Sequence, residues 1–210
     1  MKLKKKPKII LGIILVGLVL ISTGLLIFHF SGFNRGVRSA RVLHEIEGFG
    51  YVLRDNKSAR YQELFWELVD VLNEDPIDDE EYVRLISKMF VYDFFSLDEK
   101  LASTDIGGTD FVYAPILANF LENAQNTIYR HLESNIYGQR TQTGLPTVSS
   151  VEIVSIENES FTFGDTTDEN AFIVTVRWEY TERNNGYQTS AVLVFIRDDM
   201  RLSLVELRNE

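Results

Sequence analysis

Hydrophobic positions divide this chain into three regimes. Ile9 to Phe30 is an apolar run of 22 residues with no formally charged side chain. As a helix it would be about 33 Å long, enough to cross a bilayer core of about 30 Å. From residue 55 to about 134 the apolar positions recur at helical spacing. "RYQELFWELVDVL" sets Tyr61, Leu64, Phe65, Leu68 and Leu72 on one stripe. A second helix starts at Asp78, with Glu81 three residues on as in a capping box, and buries Tyr82, Leu85, Ile86 and Met89. It runs into "FVYDFF", apolar nearly all round and so expected to be covered. Ser96 and Glu99 repeat the capping signal and predict a short new turn over "SLDEKLA". Pro115 suits the first position of a third helix, striped by Leu117, Phe120, Leu121, Ala124, Ile128 and Leu132.

From residue 147 the period becomes 2. "VSSVEIVSIE" reads as a first strand that "ESFTFG" continues. In "AFIVTVRWEY", Phe172, Val174, Val176, Trp178 and Tyr180 point one way and Thr175, Arg177, Glu179 and Thr181 the other. "RNNGY" is an Asn-Gly hairpin signal. "YQTSAVLVFI" returns with Ala191, Leu193 and Phe195 alternating, and "RLSLVEL" follows. Helices followed by an antiparallel meander predict an α+β domain with the helices on one face of the sheet. Between the apolar run and this domain, Val42, Ile46, Phe49 and Leu53 fall at helical spacing, so residues 36–54 read as a partly helical stalk despite Gly48 and Gly50. The expected organisation is a basic segment 1–8, a transmembrane helix 9–30, a stalk 31–54 and a domain 55–210.

Charge gives the arrangement a direction. "MKLKKKPK" carries five lysines and no acid, which keeps that end cytoplasmic by the positive-inside rule. The apolar run is longer than that of a cleaved signal peptide, and "FHFSGFNRG" offers no small-residue cleavage site, so it reads as an uncleaved, single-pass signal anchor. All 31 acids but only 16 of the 21 basic residues follow residue 30, leaving the rest of the chain at about −15. Such a surface excludes nucleic acid, whose binding needs a basic footprint. The chain has no cysteine, hence no disulfide, thiolate metal site or cysteine nucleophile. An extracytoplasmic domain without disulfides points to a bacterial cell envelope.

Candidate chemistry is sparse. "STDIGGTDF" places Gly107 and Gly108 between Asp105 and Asp110. It lacks the third glycine of a dinucleotide fingerprint and the lysine of a phosphate loop, so a tight turn competes with contact to a partner or ligand. Trp66 lies off its helix's stripe and would anchor an interface if exposed, or pack under the stalk. The acids of "DDEE" at 78–81 complement a helix start or hold a cation. Asp165, Asp168, Glu169 and Asn170 offer hard oxygens for calcium without EF-hand spacing, or form a solvated hairpin loop. "NES" at 158–160 matches a glycosylation acceptor. His29 ends the apolar run, His44 lies in the stalk and His131 falls near the end of the third helix, where a cation favours the dipole. No cofactor motif, and no serine-hydrolase, zinc-protease or Walker pattern, occurs.

The order of elements over residues 55–210 resembles the nuclear-transport-factor-2-like (cystatin-like) fold, in which a curved antiparallel sheet wraps helices into an open cone. The overall plan is similar to that family's membrane-anchored branch, the assembly factors of type IV secretion and conjugation machines. The resemblance rests on element order, carries over no functional residue, and differs in a longer loop at 134–146. It implies a non-catalytic, membrane-anchored interaction or assembly module with an envelope protein partner or a second copy of itself. Two other classes compete. One is a cup for a small molecule or peptide, lined by the aromatic sheet face; the other is an enzyme using buried carboxylates such as Asp93 or Asp110.

Overall fold

The computed structural model describes residues 40–164, 166–182 and 186–209. The basic segment, the apolar run 9–30 with His29, residues 31–39, Asp165 and the tip of the Asn-Gly turn lie outside the described residues. Among the described residues no helix is long and apolar enough to cross a membrane.

The stretch expected as a helical stalk is a β-hairpin. β1 (Val42–Ile46) pairs antiparallel with β2 (Tyr51–Arg54), Ile46 opposite Tyr51. Gly48 and Gly50, at φ +83° and +68°, close the turn between them, and the N–H groups of Phe49 and Gly50 both donate to the Ile46 carbonyl. The helical spacing of Val42, Ile46, Phe49 and Leu53 is thus coincidental: Tyr51 and Leu53 alternate inward along a strand and are each 1% exposed. The hairpin belongs to the domain, whose compact unit begins at Ala40.

The first two helices follow the sequence pattern. α1 (Ala59–Leu72) starts at Ser58, whose hydroxyl accepts the Tyr61 N–H, and buries the five expected stripe residues. α2 (Asp79–Phe95) is capped by the Asp78 carboxylate, which accepts the N–H groups of Glu80 and Glu81 at 3.0 Å each. Glu81 turns to Arg84 rather than back to the cap, so only half of a capping box forms. Every residue from Met89 to Phe95 is buried, as an all-round apolar run requires.

Beyond α2 the pattern is less faithful. After Ser96 the chain does make the expected short turn, the Lys100 N–H donating to the Leu97 carbonyl. The Ser96 hydroxyl caps nothing local: it accepts the Val148 N–H, and the Leu97 N–H donates to the Pro146 carbonyl. Pro115 sits in a 3-10 turn (Ala114–Ile116) that leads into α3 (Leu117–Asn126). α3 stops short of the expected end; Ile128 lies in the turns after it and Leu132 just beyond them. Those turns carry Tyr129 into the core, where it is fully buried.

The sheet is the expected meander, all antiparallel in the order β3 (Val148–Phe163), β4 (Thr166–Tyr180), β5 (Ser190–Asp198), β6 (Arg201–Arg208). Phe172, Val174, Val176 and Trp178 join Leu193, Phe195, Leu202 and Leu204 in one core with α1 and α2. The sheet face is therefore filled by the chain's own helices; the Phe95 and Trp178 rings pack at 4.2 Å. The opposite face carries a smaller cluster of Ala171, Val194, Ile196 and Val205. Segment 111–113 extends the sheet beside β6, the Tyr113 N–H donating to the Leu204 carbonyl at 2.9 Å. The Tyr113 ring then meets Phe163 edge-on at 6.1 Å, bringing the far end of β3 to the β6 edge. The domain is thus α+β, with helices packed on an antiparallel sheet.

Candidate functional site

Asp93 stands alone among apolar residues on α2, and a buried carboxylate needs partners. Lys57, just before α1, and Lys100, just after α2, supply them. Their ammonium groups lie 2.6 and 2.7 Å from the same carboxylate oxygen, Oδ1. The other oxygen accepts the Gly108 N–H at 2.8 Å. Burial acts to raise the Asp93 pKa, but the two lysines and the Gly108 N–H outweigh it and hold the carboxyl well below the usual range. Two ammonium groups and one N–H thus engage both carboxylate oxygens, and the two cations make the carboxylate a poor base.

The glycine stretch is fastened over this cluster. Gly108 adopts φ +72°, and a Cβ there would lie 2.6 Å from the Phe90 ring. At Gly107 a Cβ would lie 2.1 Å from the Asp93 carbonyl oxygen, so the loop backbone rests directly on α2. The Gly107 N–H donates to the Tyr129 hydroxyl, which itself donates to the Phe94 carbonyl at 2.6 Å. Both glycine N–H groups are therefore spent inside the protein, and neither is left for an external anion.

The flanking aspartates diverge. Asp105 accepts the Leu101 N–H at 2.8 Å and closes a local turn. Asp110 pairs instead with Arg54 at 3.3 Å and keeps a quarter of its side chain exposed. Burial raises its carboxyl, an effect that Arg54 and Lys57 oppose. The Asp110 carbonyl accepts the Arg201 guanidinium, which lies over the Tyr51 ring. The Tyr51 hydroxyl in turn contacts that of Tyr82 at 2.6 Å and donates to the Leu202 carbonyl. The hairpin, α2, the glycine loop and β6 are thereby joined through one polar network.

The other candidates are placed as follows. Trp66 is 47% exposed, with one side against His44 at 4.9 Å. His44 is half-buried on β1, its ring edge-on to Phe65. In "DDEE", Asp78 caps α2, Asp79 pairs with Arg197, and Glu80 and Glu81 pair with Arg84. Asp168, Glu169 and Asn170 lie within β4 rather than in a hairpin loop. The Asp168 carboxylate accepts the N–H groups of Asn170 and Arg197 at 2.8 and 2.7 Å, at the bulge where Glu169 and Asn170 oppose Ser160. "NES" lies in the middle of β3. His131, expected near a helix end, stands exposed beyond α3 at the rim of a cleft. Among the described residues no group of three or more His, Asp or Glu side chains could hold a metal ion.

Sequence reasoning singled out Asp93 only as a buried carboxylate that an enzyme could use. It missed Lys57 and Lys100, which sit in polar stretches that carry no local signal of burial. No protein-family model, curated protein or solved structure matches this chain.

Proposed function

We propose that the chain is a single-pass membrane protein of the bacterial cell envelope, whose α+β domain acts outside the cytoplasm as a non-catalytic interaction or assembly module. The observation that carries this reading is the uncharged 22-residue run after five lysines, followed by a chain of net charge about −15. The cone-like element order adds support, with helices on one sheet face and the β3 end brought to the β6 edge. So does the state of the carboxylates that an enzyme would use, since Asp93 and Asp110 are engaged by cations of the same chain. Trp66, half-exposed on α1, is the anchor proposed for an envelope protein partner or a second copy.

The absence of native cysteine makes a direct test possible. Single cysteines at Lys4 and Thr143 are probed in intact cells with a membrane-impermeant maleimide. The reading requires labelling at 143 and none at 4 before lysis; labelling at 143 only after lysis would sink it. In the same cells, a photo-crosslinking residue at Trp66 should give one discrete adduct. An unchanged adduct pattern on moving the crosslinker to the exposed Glu122 would remove Trp66 from the interface.

A further inference from the structure

One cleft lies apart from the charged network. Phe95, Leu97, Ile128, Leu132, Leu145 and Tyr180 form its apolar body, and its volume is about 320 Å³. That is near the lower end of the about 300–1,000 Å³ typical of ligand pockets. Among the described residues no Asp, Glu, Lys or Arg lines it. At its rim stand His131 and Gln142. The Gln142 Oε1 accepts the Glu133 N–H at 3.0 Å, which leaves its Nε2 as a donor.

The wall of this cleft is built rather than incidental. Residues 127–147 contain no helix or strand, yet they are fastened throughout. The Glu133 carboxylate accepts the N–H groups of Thr141 and Gln142, which hold its carboxyl below the usual value. Arg140 donates to the carbonyls of Glu133, Asp98 and Lys100. The Asn135 N–H donates to the Leu101 carbonyl at 2.6 Å. This polar fastening leaves Ile128, Leu132 and Leu145 as a concave aliphatic wall. Packing alone favours filling such a concavity, because unfilled space forfeits dispersion contacts. The loop instead holds it open opposite an aromatic side.

We propose that this cleft is a binding site for a small, uncharged ring compound that presents a hydrogen-bond acceptor to Gln142 Nε2 and His131. The apolar body takes the ring, the two rim groups fix its polar edge, and the apolar body selects against ions, which it would strip of water. The site does not depend on the membrane anchor or on Trp66.

The test uses the full chain in lipid nanodiscs at pH 8, with protein-free nanodiscs as the blank for partitioning. The probe is 4-fluorobenzamide, read by ligand-observed fluorine NMR. Saturable binding at millimolar concentration or below is expected, displaced by unlabelled benzamide. The ionic analogues 4-fluorobenzoate and 4-fluorobenzylamine should bind at least about fivefold more weakly. Ile128→Trp, which fills the cleft, should abolish binding. His131→Ala and Gln142→Glu should weaken it about two- to tenfold. The former alters only an exposed side chain, and the latter retains the oxygen that holds the Glu133 N–H. Equal binding to the parent and I128W, equal binding of neutral and charged probes, or no saturable binding would overturn the proposal.

Discussion

Lys57, just before α1, and Lys100, just after α2, meet on one Asp93 carboxylate oxygen, at 2.6 and 2.7 Å. All three side chains are at most 13% exposed. Removing the single anion would leave two buried cations facing each other. Asp93→Asn is therefore expected to destabilise the domain by about 3–5 kcal/mol. Lys57→Met should be milder, since Lys100 still neutralises the carboxylate. Urea unfolding midpoints of the two variants test the order; equal losses would show that the lysines do not share the charge as described.

The two loop glycines should tolerate no side chain. Gly107→Ala drives a methyl into the Asp93 carbonyl, and Gly108→Ala adds a contact with Phe90 to positive-φ strain. Each is expected to lose at least about 2 kcal/mol. Gly144 also has positive φ (+70°), but its Cβ would meet nothing within 4 Å. Gly144→Ala should thus show backbone strain alone, about 1 kcal/mol. Comparable thermal shifts for all three would mean that loop packing on α2 contributes little.

The acid limb of stability should belong largely to Asp93. Its folded pKa lies below the unfolded value of about 3.9, so its contribution is present above that value and lost as pH falls below it. Glu99 and Asp110 are raised, chiefly by burial, and so act with the opposite sign. Melting temperatures measured from pH 6 to pH 2 should fall steeply for the parent and more gently for D93N. Parallel curves would assign the acid limb to other groups.

The alkaline limb should follow the tyrosines. Burial raises Tyr51, Tyr61, Tyr82 and Tyr129, and pushes Tyr180 up to about 12. Folded values above the unfolded value of about 10 give stability that is complete below pH 10 and declines as pH rises beyond it. Absorbance at 295 nm should show most phenolate appearing only with unfolding. Early, independent titration of these rings would contradict their burial.

The β4 bulge should depend on one side chain. Asp168 accepts two main-chain N–H groups, from Asn170 and from Arg197 on the neighbouring strand. Asp168→Ala should cost about 1–3 kcal/mol by leaving them without that acceptor. Asp168→Asn, which retains one oxygen, should recover part of the loss. Hydrogen exchange at the two amides is the sharpest readout, since D168A should speed exchange there before the rest of β4.

Much of the fold was legible because its signals are local. A 3.6-residue stripe from Tyr61 to Leu72 has one solution, and so does strict alternation from Phe172 to Tyr180. The hairpin at 42–54 was misread because four apolar residues fell at helical spacing by chance. Gly48 and Gly50, which would weaken a helix, are the turn itself. α3 was read too long because Ile128 and Leu132 continue its spacing, while the burial of Tyr129 ends the helix at Asn126.

The sequence by itself determined the α+β order, the meander, the cap at Asp78, and the lack of a recognisable catalytic motif. Each follows from neighbours within a few positions, where backbone geometry fixes the period. Only the tertiary structure decided what "STDIGGTDF" is. Its glycines are required by α2 lying beneath them, and its N–H groups are taken by Asp93 and Tyr129. The same holds for the Lys57–Asp93–Lys100 cluster and for the cleft beside His131. Both are made by residues far apart in the chain, and no local pattern encodes the distance at which such residues meet.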